Sequence, residues 1–323
     1  MVQNAARKNR KMIKLHNDMT QLPDAAKGCV IAIGNFDGLH LGHRALVAET
    51  LRIAKTLGAP AAVMTFEPHP REFFQKDGAP FRLTLLPMKQ RLLNEFGVDH
   101  LFALDFNAQL AALTGQEFID KILKTALQAK HIIVGADFAF GHNRSGNIET
   151  LRAAAATGSF GLTVLEPVLC PDGTPYSSSR IRAHLAKAEF EAADSLLGWH
   201  WQIEAPVVHG DKRGRELGYP TANQQAGRYV RLPYGIYAVE VLIENDLHFR
   251  RGVANFGIRP MFRIEQPIFE TFIFDFSAEI YDKEMRVRPL KYLRAEAAFN
   301  GLEALKDQMK QDCLAARAMV KSS

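Results

Sequence analysis

Between Cys29 and Gly198 the chain alternates short β-branched and apolar runs with longer segments of helical periodicity. No other feature narrows its folding options as much, because repeated strand-helix-strand units build a parallel sheet covered by helices. Strands are predicted at 29–33, 61–66, 100–104, 131–134 and 160–165, and helices near 42–57, 88–96, 116–129 and 147–156. The expected architecture of this half is α/β, a doubly wound, Rossmann-like sheet. Beyond Gly198 the period drops to two. Runs at 201–208, 235–243, 249–255 and 268–276 alternate apolar and polar residues between Gly, Pro and Asn, the pattern of a small antiparallel β-barrel. An amphipathic helix at about 302–320 closes the chain, with Leu302, Leu305 and Met309 on one face. The 323 residues are about twice a typical domain length. We therefore expect a lead-in at 1–27, one domain at 28–198 and another at 199–323.

The charge balance argues against a nucleic-acid-coating surface. There are 40 Lys and Arg against 35 Asp and Glu, a net +5. Five of the cations fall in the acid-free stretch 7–14, and the remainder of the chain balances. This reads as a basic tail, solvated and mobile. No run approaches the ~18 apolar residues of a membrane helix, and the tail lacks the apolar core of a secretory leader. Neither nucleic acid nor membrane is expected as a partner. Cys29, Cys170 and Cys313 lie far apart, are odd in number and form no CxxC pair. They read as reduced thiols of a cytoplasmic protein, not as a disulfide or zinc framework.

The segment Gly34-Asn35-Phe36-Asp37-Gly38-Leu39-His40-Leu41-Gly42-His43 follows a buried strand and opens a helix. Open α/β sheets bind ligands at such places, and free N–H groups at a helix start suit phosphate. His40 and His43 can turn both imidazoles toward the same phosphates and offset charge building on a transferring phosphorus. Two other uses stay open: a metal half-site, for which no second ligand pair is spaced suitably, and helix capping or core packing.

His40-Leu41-Gly42-His43 resembles the HxGH motif of the nucleotidyltransferases. Ser177-Ser178-Ser179-Arg180-Ile181-Arg182 is similar to their second motif, Ser-Ser-Thr-x-Ile-Arg, with Ser179 for the threonine. Hydroxyls at a helix start together with Arg182 would clamp the outer phosphates. The runs Phe66-Glu67-Pro68-His69-Pro70 and Val134-Gly135-Ala136-Asp137-Phe138-Ala139-Phe140-Gly141 resemble the adenylyltransferase module of bacterial bifunctional riboflavin kinase/FAD synthetases. The resemblance implies His40 and His43 as catalytic, and ATP at Gly34, Asn35, Phe36, Ser178, Ser179 and Arg182. It also implies FMN at Pro68, His69, Asp137 and Phe138. Ala139 and Asn147 stand where the family often has Arg and Asp. Core packing is an equal reading for Phe138 and Phe140.

In the second half, the run His209-Gly210-Asp211-Lys212-Arg213-Gly214-Arg215-Glu216-Leu217-Gly218-Tyr219-Pro220-Thr221-Ala222-Asn223 interleaves glycines and cations, a texture that suits phosphate. A solvated hairpin is the alternative. Thr221 and Asn223 fall on one side of an extended chain and offer neutral oxygens suited to a Mg²⁺ carried by ATP. Strand alternation puts Ile268, Glu270, Phe272, Phe274 and Phe276 on one face, with Glu270 as its sole carboxylate. Glu270 is thus a candidate base, or else a salt-bridge partner of Arg251 or Arg294. Gly-x-Pro-Thr-Ala-Asn, the Glu270 strand and Leu293-Arg294-Ala295-Glu296 resemble the riboflavin kinase module of the same family. That implies ATP at Gly210, Lys212, Gly218, Thr221 and Asn223, Mg²⁺ at Thr221 and Asn223, Glu270 as base on the ribityl hydroxyl, and Arg294 near the flavin. Met261 and Asp282 replace the family's usual Thr and Gly.

The whole reads as an enzyme that uses ATP and Mg²⁺ to convert riboflavin to FMN and FMN to FAD, with both flavins as substrates or products. The alternative is an FMN adenylyltransferase with an impaired, flavin-binding or regulatory kinase-like half. Neither site has an activated Ser or Cys nucleophile, so both steps read as in-line displacements. The sequence leaves the oligomeric state open.

Overall fold

The computed structural model describes residues 12–210, 214, 217–258 and 267–319. By the density of its contacts the chain forms two units, and each is described by itself. The first comprises 1–79 and 84–177, and the second 80–83 and 178–323.

In the first unit, β1 (Lys14–His16), β2 (Val30–Ile33), α1 (Leu41–Leu57), β3 (Ala61–Glu67), α2 (Pro70–Phe74), α3 (Leu86–Phe96), β4 (His100–Asp105) and α4 (Ala108–Ala112) follow in order. Next come α5 (Gly115–Phe118) with its π-helical continuation Ile119–Ala126, β5 (His131–Gly135), α6 (Ile148–Ala156) and β6 (Gly161–Leu165). The strands make one parallel sheet in the order β1-β4-β3-β2-β5-β6. Its middle strand β2 is buried along its whole length, as expected of a strand with helices on both faces. Ile31, Ile33, Met64, Phe102, Ile132 and Val134 pack with Phe118, Leu123 and Leu151 from the helices. Fully burying each such side chain contributes about 1.5–3 kcal/mol.

Strand β1 corrects the sequence reading. Lys14, assigned there to the mobile tail, begins a strand paired in parallel with β4 and donates its N–H to the Asp99 carbonyl at 2.9 Å. Three residues are too few for periodicity to register. The cations at 7–11 lie outside the described residues.

The second unit begins with α7 (Ser178–Leu185) and α8 (Phe190–Leu197). It continues with β7 (Ile203–Pro206), β8 (Thr221–Gln225), β9 (Gly235–Ile243), β10 (Arg250–Gly257), β11 (Ile268–Ile273), β12 (Glu284–Arg294) and α9 (Leu302–Ala318). The strands run antiparallel in the order β7-β12-β9-β10-β11-β8. A single bridge between Val208 and Asn223 brings the two edges together, so the barrel is nearly closed. Residues 80–83 belong to this unit through backbone acceptors. Val230 N–H donates to Arg82 at 2.9 Å, the buried Trp201 indole to Leu83 at 3.0 Å, and Arg182 Nε to Phe81 at 2.7 Å.

Two expectations for the barrel need correction. The strand expected to run to residue 276 stops at Ile273, because the chain turns at Phe274-Asp275, where Asp275 has φ 56°. Phe274 and Phe276 therefore leave the Glu270 stripe, and Phe274 packs instead beneath the Arg317 guanidinium, 4.2 Å from its ring. The sequence reading also lacked β12, whose pairing with β9 shifts register at Pro289/Lys291 and at Tyr292/Arg294. Each bulge slips the two-residue alternation by one, which erases the pattern that reveals a strand.

Candidate active sites

In the first unit the chain leaves β2, builds outward through β3 and β4, then returns to place β5 on the other side of β2. The order reverses between β2 and β5, and ligands bind at such a switch point, outside the carboxyl ends of the strands. The loops after β2, β3 and β5 carry Gly34–His43, Pro68–His69 and Asp137–Phe138, so these candidates emerge along one edge of the sheet.

His40 is the N-cap of α1, and its Nδ1 accepts the N–H of His43 at 3.3 Å. The two imidazoles stack with centroids 3.7 Å apart and planes 22° off parallel. Capping and phosphate binding are thus compatible: the cap fixes the His40 ring at the positive end of a 17-residue helix. Gly42 leaves room for that ring, since a Cβ there would stand 3.1 Å from His40 Cε1. Phe36 is fully buried, with its ring 5.2 Å from that of His43, so it offers a ligand only backbone. Asn35 is exposed.

His69 caps α2, with Nδ1 accepting from Arg71 N–H at 3.0 Å and its own N–H donating to Glu72 at 3.1 Å. Asp137 is exposed, Phe138 is half-buried, and Phe140 is buried in the core with its ring 5.3 Å from that of Phe138. The core reading holds for Phe140. Ser178 and Ser179 are the first two residues of α7, and the Arg182 guanidinium lies 5.2 Å from the Phe81 ring centre. These three belong to the second unit by contacts.

A cavity of about 730 Å³ opens in the barrel. Gly210, Thr221, Asn223, Glu270 and Arg294 line it, which gathers five of the sequence candidates from three separate stretches of chain. Strand register explains the gathering. Glu270 on β11 stands directly opposite Asn223 on β8 and opposite Asn255 on β10, so an amide flanks the carboxylate on either side. Facing residues of an antiparallel pair hold their Cβ atoms about 4.5–5.5 Å apart. Gly210 lies so close to Asn223 that a Cβ would come within 2.3 Å of Nδ2. Gly218 is not a lining residue, and Lys212 and Met261 fall outside the described residues. Asp282 has φ 64°, a left-handed conformation that Asp tolerates better than most residues with a side chain.

Arg294 is committed to Asp312 on α9 through two hydrogen bonds of 2.8 and 2.6 Å, not to Glu270. Sequence reasoning missed Asp312 and Asn255, both of which line the cavity. Asn255 sits in an alternating strand and was legible as an inward amide, but Asp312 is one acid among several on a solvated-looking helix. Cys313 also lines the cavity, and burial pushes its thiol up to about 11, so it is no nucleophile at neutral pH. Among the described residues no group of three His, Cys, Asp or Glu side chains could hold a metal.

The two units thus present a glycine-rich loop at a helix start on a parallel sheet and, in an antiparallel barrel, a largely apolar cavity with Thr221, Asn223 and Glu270 in its wall. The FAD synthetase family matches residues 22–180, and the riboflavin kinase family matches residues 197–320. The chain is 40% identical to the bifunctional riboflavin kinase/FMN adenylyltransferase of Escherichia coli strain K12 over 95% of its own length and 97% of the relative's. It is also 40% identical to that of Pseudomonas fluorescens, over 96% of this chain and 97% of the relative. The chain belongs to the bifunctional riboflavin kinase/FMN adenylyltransferase family. A solved structure described as a macrolide-efflux protein from Streptococcus pneumoniae is 31% identical and covers 95% of this chain and 99% of its own, with a TM-score of 0.77. Among the described residues, no helix is long and apolar enough to cross a membrane.

Proposed function

We infer that this chain phosphorylates riboflavin with ATP to give FMN and ADP, and then transfers the adenylyl group of a second ATP to FMN to give FAD and pyrophosphate. The observation that carries the reading is the barrel cavity, where Thr221, Asn223 and Glu270 meet although sequence separates them. We assign adenylyl transfer to 28–198 and phosphorylation to 199–323.

In the barrel, Glu270 takes the proton of the terminal ribityl hydroxyl as that oxygen bonds to the γ-phosphorus and ADP leaves. The donors around it are hard oxygens: a hydroxyl, an amide carbonyl and a carboxylate. That set suits Mg²⁺, which Thr221 and Asn223 would hold. Bound with ATP, the ion would neutralise charge on the phosphate oxygens. Arg294, fixed by Asp312, borders the flavin.

On the sheet, a phosphate oxygen of FMN attacks the α-phosphorus and pyrophosphate leaves. The nucleophile is already ionised, so the site needs no base. His40, His43 and the first N–H groups of α1 stabilise the charge that develops. On motif resemblance, Gly34, Asn35 and Phe36 border the ATP, and the same resemblance gives Ser178, Ser179 and Arg182 a phosphate-holding role. Pro68, His69, Asp137 and Phe138 border FMN. We place the enzyme in the cytoplasm, where ATP is available and where Cys29, Cys170 and Cys313, which form no disulfide, stay reduced.

The test is chromatographic separation of flavins after incubation with ATP and Mg²⁺, starting from riboflavin in one reaction and from FMN in another. FAD in both supports the two-step reading. FAD from FMN alone would leave the barrel as a flavin-binding half, and FAD in neither would overturn the assignment.

A further inference from the structure

We propose that Lys89 is a positioning residue for adenylyl transfer: by holding the carbonyl of Asn35 from beneath, it sets the turn that carries His40 and His43. The proposal rests on reading that turn as the ATP site.

Lys89 lies on α3 and is fully buried, a costly place for a lysine. Its Nζ donates to the Asn35 carbonyl at 2.8 Å and to Thr65 Oγ1 at 2.9 Å. Thr65, also fully buried, donates its own hydroxyl to the same carbonyl at 3.0 Å. Three hydrogen bonds therefore close a triangle under a residue whose side chain faces solvent.

The turn needs such support. Phe36 at φ 47° and Leu39 at φ 43° both sit in the left-handed region, where residues with a Cβ are strained. A turn of this kind keeps its shape only when its surroundings over-determine it. One end is fixed by Thr84, whose N–H donates to Asp37 Oδ1 at 3.0 Å and whose Oγ1 accepts Gly38 N–H at 2.9 Å. The other end is fixed by Lys89 and Thr65. Leu39 alone separates the Thr84 anchor from His40, and the strained Phe36 lies between the two anchors, so a shift at Asn35 is felt through Phe36 and the Asp37-Gly38 turn before it reaches His40. No residue of the phosphate motif makes this contact, and the lysine that does lies beyond the next strand, on α3, to which the sequence reading gave no role at the site.

The experiment uses the full chain, so that riboflavin phosphorylation by the other unit reports on folding and protein quality. Replacing Lys89→Met removes its bonds to Asn35 and Thr65, while Lys89→Gln keeps an amide that can still donate. For FAD formation from FMN and ATP with Mg²⁺, kcat is expected to fall about 100-fold in K89M, with KM for FMN changing far less and the kinase rate unchanged. K89Q should recover about tenfold of that loss. A K89M kcat within about threefold of the parent overturns the proposal, as does a glutamine variant no better than methionine. If K89M does not fold, Thr65→Val removes two bonds of the triangle at nearly constant volume. It is expected to lower kcat about tenfold, and an unchanged kcat overturns the proposal. His40→Ala separates the two failures. If H40A also retains FAD formation, the reading of the turn is wrong; if H40A abolishes it while K89M does not, only the positioning role is lost.

Discussion

Asp312 grips Arg294 with a two-pronged hydrogen bond, Nε to Oδ1 at 2.8 Å and Nη2 to Oδ2 at 2.6 Å, and so ties the end of β12 to α9 along the barrel cavity. Gln308 adds a third bond to Oδ1 at 3.0 Å. The Asp312 side chain is only 8% exposed and that of Arg294 24%, so solvent screens the pair weakly. Removing one partner of such a pair costs about 3 kcal/mol, because the other charge stays partly buried. Asp312→Ala is accordingly expected to lower stability by that amount in urea unfolding and to raise KM for riboflavin about tenfold. An unchanged KM would show that Arg294 holds its place without the clamp.

Glu270→Gln keeps the shape of the side chain but cannot accept a proton. FMN formation should drop about 10²–10⁴-fold in kcat, while FAD formation from added FMN continues at the parental rate. A variant that still phosphorylates riboflavin at more than about a tenth of the parental rate would remove Glu270 from the role of base.

Gly210→Ala tests the close approach to Asn223. The added Cβ would lie 2.3 Å from Nδ2 and 2.8 Å from Cγ, so the amide must swing away from its place opposite Glu270. Kinase kcat/KM for Mg-ATP is expected to fall about 10–100-fold, read from initial rates at varied Mg-ATP. Adenylyl transfer, measured in the same preparation, should not change.

Acidification should loosen the sheet at β1. Burial, reinforced by the nearby Lys14, holds the pKa of His16 below its ordinary 6.5. The folded state thus resists protonating His16. Its contribution to stability is whole above 6.5 and is lost as pH falls from there through the lowered value. His16 touches His100, Nε2 to Nδ1 at 2.9 Å, and stacks on Phe102 at 5.0 Å, so the loss falls where β1 meets β4. Hydrogen exchange of the β1 amides should therefore accelerate between pH 7 and pH 5.5 beyond the intrinsic trend, and His16→Gln should abolish that excess; the pH values bracket the usual histidine range of about 6.5. Equal acceleration in the variant would place the effect elsewhere.

By itself the sequence determined the α/β-plus-barrel architecture, the family and the candidate residues for each site. Periodicity reports burial of one face or both, which is why β2, β3, α1 and β9 were legible nearly to the residue. Motifs report local backbone, which is why the turn before α1 and the Thr221-Ala222-Asn223 strand were legible as sites. Tertiary structure decided what depends on pairing between distant segments. The bulges of β12 erase its alternation, and β1 is too short to have one. Only register sets Asn223 and Asn255 on either side of Glu270, only the placement of α9 along the barrel commits Arg294 to Asp312, and only the approach of α3 to β3 and to the turn after β2 brings Lys89 to Asn35. A buried lysine and a helix aspartate look like any surface charge in a linear string, because what distinguishes them is the absence of water, and that is a property of the folded chain alone.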